Sequence, residues 1–247
     1  MKRIVSVFYC LASLSLAAIA QEKNANPASP SPATNSPATA GAKPATTASE
    51  SKEKPDIKEL IKLPAFTNSI GMVMVKISEE LWAGKYEVTQ QEYQKAGGGN
   101  PSQFNGERNP VDSVSWNDTI SFCDKLTQTE REEEMLPDGF VYTLPTQAQW
   151  ESLAAGASLK DAVTSSDASR SGTSAVGSLG ANGPGLYDTR GNVWELCLDP
   201  QDKPFRVARG GAWDTTIEID LRPEFRRYGP PEENKNAVGF RCVLVPK

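Results

Sequence analysis

The chain has 247 residues with 26 Lys and Arg, 31 Asp and Glu, and no histidine, which gives a formal net charge of −5. The lack of histidine excludes catalytic triads and metal sites that depend on imidazole. The acidic balance, with no Lys/Arg cluster among aromatic residues, argues against nucleic acid and against anionic membranes as partners.

Residues 1–20 have the pattern of a secretory signal peptide. Lys2 and Arg3 precede an apolar run that ends in small residues and is too short to cross a membrane. We expect cleavage after Ala20 and export to the periplasm or the cell exterior. Cys10 follows two aromatic residues rather than small ones, so we expect no lipid anchor. No later segment is apolar enough to span a membrane.

A tether is predicted between this leader and the folded domain. Residues 21–57 are mostly Ala, Pro, Ser and Thr, with no aromatic residue and no periodic apolar face. Such a segment buries too little apolar surface to offset the entropy lost on ordering, so we expect a disordered linker. The remaining residues, 58–247, suit one domain with its own core.

The domain opens with a strand and three helices. The apolar, β-branched run Gly71–Ile77 predicts a buried strand. Three helix starts then share a hydroxyl residue followed three places later by an acid or amide, the pattern of a capping box. They are Thr89 with Glu92, Ser115 with Asp118, and Thr146 with Gln149.

The spacing of apolar residues predicts the buried helix faces and an α+β class. Trp116, Ile120, Cys123 and Leu126 share one face of the second helix, and Trp150, Leu153 and Ala154 share one face of the third. Turn-rich segments separate these helices from short strands expected at Phe140–Thr143, Phe205–Ala208 and Phe240–Val245. Because the helices precede most strands, we expect an α+β domain with much irregular structure.

Seven motifs in this order carry a family resemblance. They are FTNSIGMVMVKI, YEVTQQEYQ, NPVDSVSWNDTISFCDKL, YTLPTQAQWESLAAGA, GLYDTRGNVWEL, ARGGAW and GFRCV. Together they resemble the sulfatase-modifying factor family, the formylglycine-generating enzyme domain, across residues 66–243. The resemblance implies a C-type-lectin-like fold in the variant of these enzymes.

The catalytic residues of that family are not matched. The resemblance implies two cysteines after the paired glycines that bind copper(I) for oxidation of a substrate cysteine, but Thr215 and Asp220 stand at those positions. Copper(I) needs soft thiolate ligands, so we expect neither copper binding nor the oxidase reaction. Cys197 is the only candidate nucleophile, and a buried inert thiol is the alternative.

Three cysteines follow the leader, so an exported chain is expected to form one disulfide and keep one thiol. The resemblance implies that Cys123 pairs with Cys242, which leaves Cys197 free.

A calcium site is implied by the resemblance in LYDTRGNVWEL. Asp188 and Glu195 would supply side-chain oxygens, and Gly191 and Val193 would supply backbone carbonyls. Calcium prefers oxygen ligands and tolerates irregular loops. In the alternative, Asp188 only starts a turn and Glu195 pairs with an arginine such as Arg190.

A ligand pocket is predicted around the turn at Gly210 and Gly211. Its candidate residues are Trp213, Arg222, Arg226, Arg227 and Tyr228, which suit a peptide or an anionic ligand. The alternative is that these arginines clamp loops within the domain. The acidic run 130–134 is expected to be a solvated helix end.

Our leading hypothesis is an exported, non-catalytic formylglycine-generating-enzyme-like domain that binds a protein, peptide or glycan ligand in the envelope. The alternatives are an oxidoreductase of the sulfatase-maturation type acting on cysteine and a structural envelope protein.

Overall fold

The computed structural model describes Glu59, residues 62–167 and residues 171–247. The predicted signal peptide, residues 1–20, and the predicted linker, residues 21–57, lie outside the described residues. The described residues belong to one unit, Ser51–Lys247.

In the part of the chain that the structure describes, nine short strands form two separate sheets. The first sheet has the order β1-β2-β3-β9-β4, and every pairing in it is antiparallel. The second sheet has the order β7-β6-β5-β8, and β5 runs parallel to β8. The strands are β1 (Ala65–Thr67), β2 (Val73–Ser78), β3 (Leu81–Gly84), β4 (Phe140–Thr143), β5 (Trp194–Leu196), β6 (Arg206–Arg209), β7 (Arg227–Gly229), β8 (Val238–Gly239) and β9 (Val243–Pro246).

All three predicted helix starts are confirmed. The helices are α1 (Gln90–Lys95), α2 (Trp116–Glu132) and α3 (Gln147–Leu153). Thr89, Ser115 and Thr146 are their N-caps, and each forms both hydrogen bonds of a capping box with the residue three places on. Because each box satisfies two amide hydrogens that the helix leaves free, these local contacts fix where the helices begin.

The predicted strands are found with one correction. The first predicted strand is β2, the Phe140–Thr143 strand is β4, and the Phe205–Ala208 strand is β6, one residue further along. The single strand expected over Phe240–Val245 is wrong, because the chain leaves one sheet after β8 and enters the other at β9. The buried residues 240–242 therefore connect β8 of the second sheet to β9 of the first sheet.

The main core lies where α2 packs against the sheets. Phe122, Cys123 and Leu126 are buried on α2, whereas the predicted Trp116 and Ile120 are only partly buried at its margin. The expected face of α3 is confirmed, since Trp150, Leu153 and Ala154 are all buried. The helix pattern therefore placed these elements correctly, apart from a small rotation of α2.

Glu130, in the acidic run 130–134, is buried, so the prediction that this whole run is solvated is wrong for this residue. Glu130 is 1% exposed. Its carboxylate accepts hydrogen bonds from the Tyr142 hydroxyl at 2.8 Å and from the Ser69 amide and hydroxyl at 2.9 and 2.8 Å. These donors explain how a carboxylate enters the core, because buried polar groups need hydrogen-bond partners.

Within the described residues, no helix is long and apolar enough to cross a membrane.

Candidate functional site

The Gly210–Trp213 turn follows directly from β6. Gly210 and Gly211 have φ of 95° and 79°, which favours glycine. A Cβ at Gly211 would lie 2.4 Å from Leu221 Cδ2. The turn therefore requires glycine for its backbone and for close packing.

Thr215 closes this turn with its side chain. Its Oγ1 accepts a 2.9 Å hydrogen bond from the Ala212 amide, and its backbone amide donates to the Ala212 carbonyl at 3.0 Å. Thr215 is 8% exposed, and half-buried Asp220 lies in a short 3₁₀ helix, Glu218–Leu221. Thr215 therefore has a structural role in this turn, through its hydroxyl and its backbone amide.

Cys197 is buried in a small apolar cluster. Its side chain is 0% exposed and packs with Trp150 and Ala154. Burial raises the pKa of its thiol well above the ordinary value. Because the thiolate is the nucleophile, a buried thiol held in its neutral form is unsuited to catalysis.

Beneath the turn, Glu195 forms a buried ion pair with Arg241. Arg241 Nη2 donates to Glu195 Oε1 at 2.6 Å, and its Nε lies 3.1 and 3.2 Å from the two carboxylate oxygens. The Trp150 indole donates to Glu195 Oε2 at 2.7 Å. Burial alone would lower the pKa of Arg241, but the Glu195 charge outweighs it and the pKa is raised. The arginine partner anticipated as an alternative exists, and it is Arg241 rather than Arg190.

Glu87 joins this cluster; it lies in the motif YEVTQQEYQ, but the sequence assigned it no role. It is 0% exposed and accepts hydrogen bonds from the Val193 amide at 3.0 Å and from Asn192 Nδ2 at 2.6 Å. Burial, together with the charges of Asp188 and Glu195, raises the pKa of Glu87 well above its ordinary value. Three buried carboxyl groups therefore surround one arginine.

The four predicted calcium residues differ in how well they fit a cation. Asp188 Oδ1 is buried and has no hydrogen-bond partner among the described residues, while Oδ2 accepts from the Gly177 amide at 2.6 Å. An unpaired buried carboxylate oxygen fits a cation ligand. Glu195 instead directs both oxygens to Arg241 and Trp150. Gly191 and Val193 lie in the same loop, and calcium at these residues stays a prediction.

The five predicted ligand residues have different partners. Arg226 bonds Gln147 Oε1 at 2.8 Å and Glu151 at 3.2 Å. Tyr228 is 56% exposed on the edge strand β7 and packs edge-on against Phe205, with ring centroids 5.1 Å apart. Arg226 and Tyr228 thus have their described contacts along the second sheet and α3.

The remaining three also lie apart in their contacts. Arg227 is paired with Glu233, and Arg222 is exposed just after the 3₁₀ helix. Trp213 packs edge-on against Phe104, with ring centroids 5.0 Å apart. The described contacts therefore do not join Trp213 with the arginines.

Phe104 belongs to an open surface cleft of about 480 Å³. Two loop segments without regular secondary structure, residues 103–109 and 171–174, form its walls. Among the described lining residues, none is charged. The lining includes three side-chain amides, Gln103, Asn105 and Asn109, and the hydroxyl groups of Ser171 and Thr173.

Buried polar residues hold the first wall of the cleft from below. Gln90, 1% exposed, donates to the Phe104 carbonyl at 2.7 Å and accepts from the Gly106 amide at 3.1 Å. Asp112, 0% exposed, accepts from the Gln103 amide at 2.8 Å. These bonds hold an exposed loop that has no regular secondary structure of its own.

The second wall is held in the same way. Buried Asn192 accepts from the Ser174 amide at 2.9 Å, and Asn109 Nδ2 reaches Thr173 Oγ1 at 3.3 Å across the cleft. Gly172 lies against the Phe104 ring so closely that a Cβ there would be 2.4 Å from Phe104 Cδ1. Glu87 therefore supports this wall indirectly, through its bond to Asn192.

The predicted disulfide pair is brought together as thiols. Cys123 Sγ and Cys242 Sγ lie 3.6 Å apart in the core. The pairing is thus compatible with the fold, and the covalent bond stays a prediction.

Comparisons with known proteins relate this chain to one family. The sulfatase-modifying factor enzyme 1-like domain matches residues 45–245. Chaperone protein LppX of Paenibacillus barcinonensis is 28% identical over 213 residues, covering 61% of this chain and 76% of LppX. Inactive Cα-formylglycine-generating enzyme 2 of Bos taurus is 29% identical over 164 residues, covering 54% of this chain and half of that relative.

The solved structure of Treponema denticola variable protein 1 is similar to this chain, with a TM-score of 0.60 and 25% identity, and the match covers 74% of this chain and 92% of the other. The expected fold, α+β and C-type-lectin-like in the formylglycine-generating-enzyme variant, is confirmed. The chain belongs to the sulfatase-modifying factor enzyme 1-like domain family.

Proposed function

We propose that this chain is an exported, non-catalytic member of its family that binds a protein, peptide or glycan ligand. The observation that carries the proposal is the state of its candidate reactive groups. Thr215 uses its hydroxyl to close a turn, and the Cys197 thiol is buried with a raised pKa. Neither group offers the exposed thiolate that copper(I) chemistry needs.

The names of two relatives support the non-catalytic part of the proposal. One is called an inactive formylglycine-generating enzyme, and another is called a chaperone protein. A chaperone acts by binding other molecules, so a binding role is consistent with the family. The names describe those proteins and supply no ligand for this one.

The cleft supports the binding part. Its walls are ordered by buried Gln90, Asp112 and Asn192, and Trp213 packs against its Phe104 wall. A preorganised site loses less conformational entropy on binding than a flexible site does. The candidate contact surface therefore runs from the cleft to Trp213, while Arg226 and Arg227 have their contacts elsewhere, with Gln147 and Glu233.

Copper(I) binding tests the loss of catalysis. The full chain is titrated anaerobically with copper(I) against a chromogenic chelator, with Cys197→Ser in parallel, and a cysteine-containing peptide is then assayed for oxidation. We expect binding at background level and no turnover. Stoichiometric binding that Cys197→Ser abolishes, or peptide oxidation, would overturn the proposal in favour of an oxidoreductase.

Ligand binding is tested with immobilised chain against defined peptides and oligosaccharides. We expect saturable binding of at least one class. Failure of every probe would favour a structural envelope role. Export is tested separately by sequencing the mature N-terminus, which we expect to begin at Gln21, whereas an intact leader would contradict it.

Calcium is part of the proposal because Asp188 Oδ1 is buried and has no partner among the residues described. We expect added calcium to raise the Tm. At a calcium concentration a hundred times the Kd, the free energy of unfolding should rise by about 2.7 kcal/mol. Asp188→Ala should remove this response. An equal Tm with calcium and with chelator would refute the site.

A further inference from the structure

From the uncharged lining of the cleft between residues 103–109 and 171–174, we infer that the ligand is a neutral oligosaccharide. This inference rests on the proposed binding function and names the ligand class. The described lining offers amides, hydroxyls and one aromatic ring, and no charged side chain. A charged ligand would leave its charge uncompensated by these residues, so the lining favours a neutral one.

The amides are suited to sugar hydroxyls. A side-chain amide offers two donors and an acceptor, and each hydroxyl both donates and accepts. Gln103 uses its Oε1 to accept from Asn236 at 3.0 Å, and Asn105 uses its Oδ1 to accept from Asn100 at 3.3 Å. Both side chains are exposed, and their NH₂ groups have no hydrogen-bond partner among the described residues. Two oriented donor groups therefore face the solvent at the cleft.

The aromatic ring supplies the apolar part of such a site. Phe104 is half-buried, its backbone is held by Gln90 and its ring by Gly172 and Trp213. A fixed ring next to amide donors suits a molecule with hydroxyl edges and C–H faces. The open shape of the cleft admits part of a chain rather than enclosing a small molecule.

A peptide fits these features less well. Extended peptides are usually bound along an exposed strand edge, with pockets for alternate side chains, or in an apolar groove. The walls here are loops without strand structure, and Phe104 is the only aromatic residue in the described lining. The geometry therefore favours a saccharide over a peptide.

The test is calorimetric titration of the full chain with maltotetraose, cellotetraose and tetra-N-acetylchitotetraose, beside a neutral Ser/Asn/Gly peptide and tetragalacturonate. We expect a neutral oligosaccharide to bind. The double variant Q103A/N105A should weaken it about tenfold, since two hydrogen bonds are lost. Phe104→Leu should also weaken binding, because it removes the flat ring. Q128A, which removes an exposed glutamine on α2 that bonds only Glu132 at 2.9 Å, should leave it unchanged.

The other outcomes separate this inference from the proposed function. Binding of the peptide or tetragalacturonate without the neutral sugars would overturn the sugar class but keep a binding protein. Sugar binding that Q103A/N105A and Phe104→Leu leave unchanged, in variants with the parental Tm, would overturn the cleft as the site. Failure of every probe would overturn the inference and count against the binding function as well.

Discussion

Replacing Arg241 by methionine should remove a large part of the stability of the domain. The Arg241 side chain is 0% exposed and, besides Glu195, it donates to the Gly84 carbonyl at 2.8 Å and the Tyr187 carbonyl at 2.6 Å. Its loss leaves the Glu195 carboxylate buried with only the Trp150 indole as a donor. Breaking a buried pair in this way costs about 3–5 kcal/mol, which is a large part of a typical total of about 5–15 kcal/mol.

A double-mutant cycle separates the buried charge from the lost packing. Glu195→Gln removes the carboxylate that Arg241 bonds directly, so the double variant no longer contains that unpaired charge. We therefore expect Arg241→Met and Glu195→Gln to be less than additive, with a coupling energy of about 1–3 kcal/mol. The assay is urea unfolding followed by tryptophan fluorescence and circular dichroism, with linear extrapolation to water.

Lys203→Met is the matched control, because Lys203 pairs with Asp202 at 3.3 Å on the surface with 53% and 76% of the side chains exposed. We expect a loss below about 1 kcal/mol there. If Arg241→Met were no more destabilising than Lys203→Met, or if the cycle were additive, the buried pair would not have the role assigned to it.

Three further predictions concern the core and the Gly-Gly turn. Oxidation should join Cys123 to Cys242 and raise the free energy of unfolding by about 4–5 kcal/mol, because the closed loop exceeds one hundred residues. Peptide mapping identifies the disulfide, and urea unfolding with and without reductant measures its effect on stability. Burial raises the pKa of Glu130 in the folded state. The contribution of Glu130 to the free energy of unfolding should therefore be fully present below its pKa in the unfolded chain and be lost as pH rises through its pKa in the folded chain. Glu130→Gln should flatten this pH profile. Gly211→Ala should lower the Tm, because its φ is 79° and the new Cβ would lie 2.4 Å from Leu221 Cδ2.

Each of these has an outcome that contradicts it. Reductant that leaves the urea midpoint unchanged would argue against the disulfide. Parallel pH profiles for wild type and Glu130→Gln would mean that another group carries the pH dependence. Gly139→Ala controls for backbone strain, since its φ is also 79° but no atom lies within 4 Å of the new Cβ. An equal effect at Gly139 and Gly211 would refute the steric argument.

Local patterns predicted the framework of the site well. The capping boxes at Thr89, Ser115 and Thr146 depend on residues three places apart, so the sequence contains both partners of each bond. The paired glycines similarly announced a turn with positive φ, and Gly210 and Gly211 both have it.

The candidate cleft could not be predicted in this way. Its supports are single buried side chains, Gln90, Asp112 and Asn192, which come from three separate motifs of the sequence. Asn109 and Thr173 face each other across 64 positions of sequence. Only the path of the chain between two loops makes such residues neighbours, so no spacing rule reveals them.

By itself, the sequence determined the three capped helices and the strands β2, β4 and β6. These follow from contacts within a turn of helix and from the residue types present. The tertiary structure alone decided that Glu195 pairs with Arg241, 46 positions away, and that Glu130 is buried against Ser69, 61 positions away. Long-range pairs depend on how the sheets and loops pack, because burial selects whichever partner the fold brings within hydrogen-bond distance.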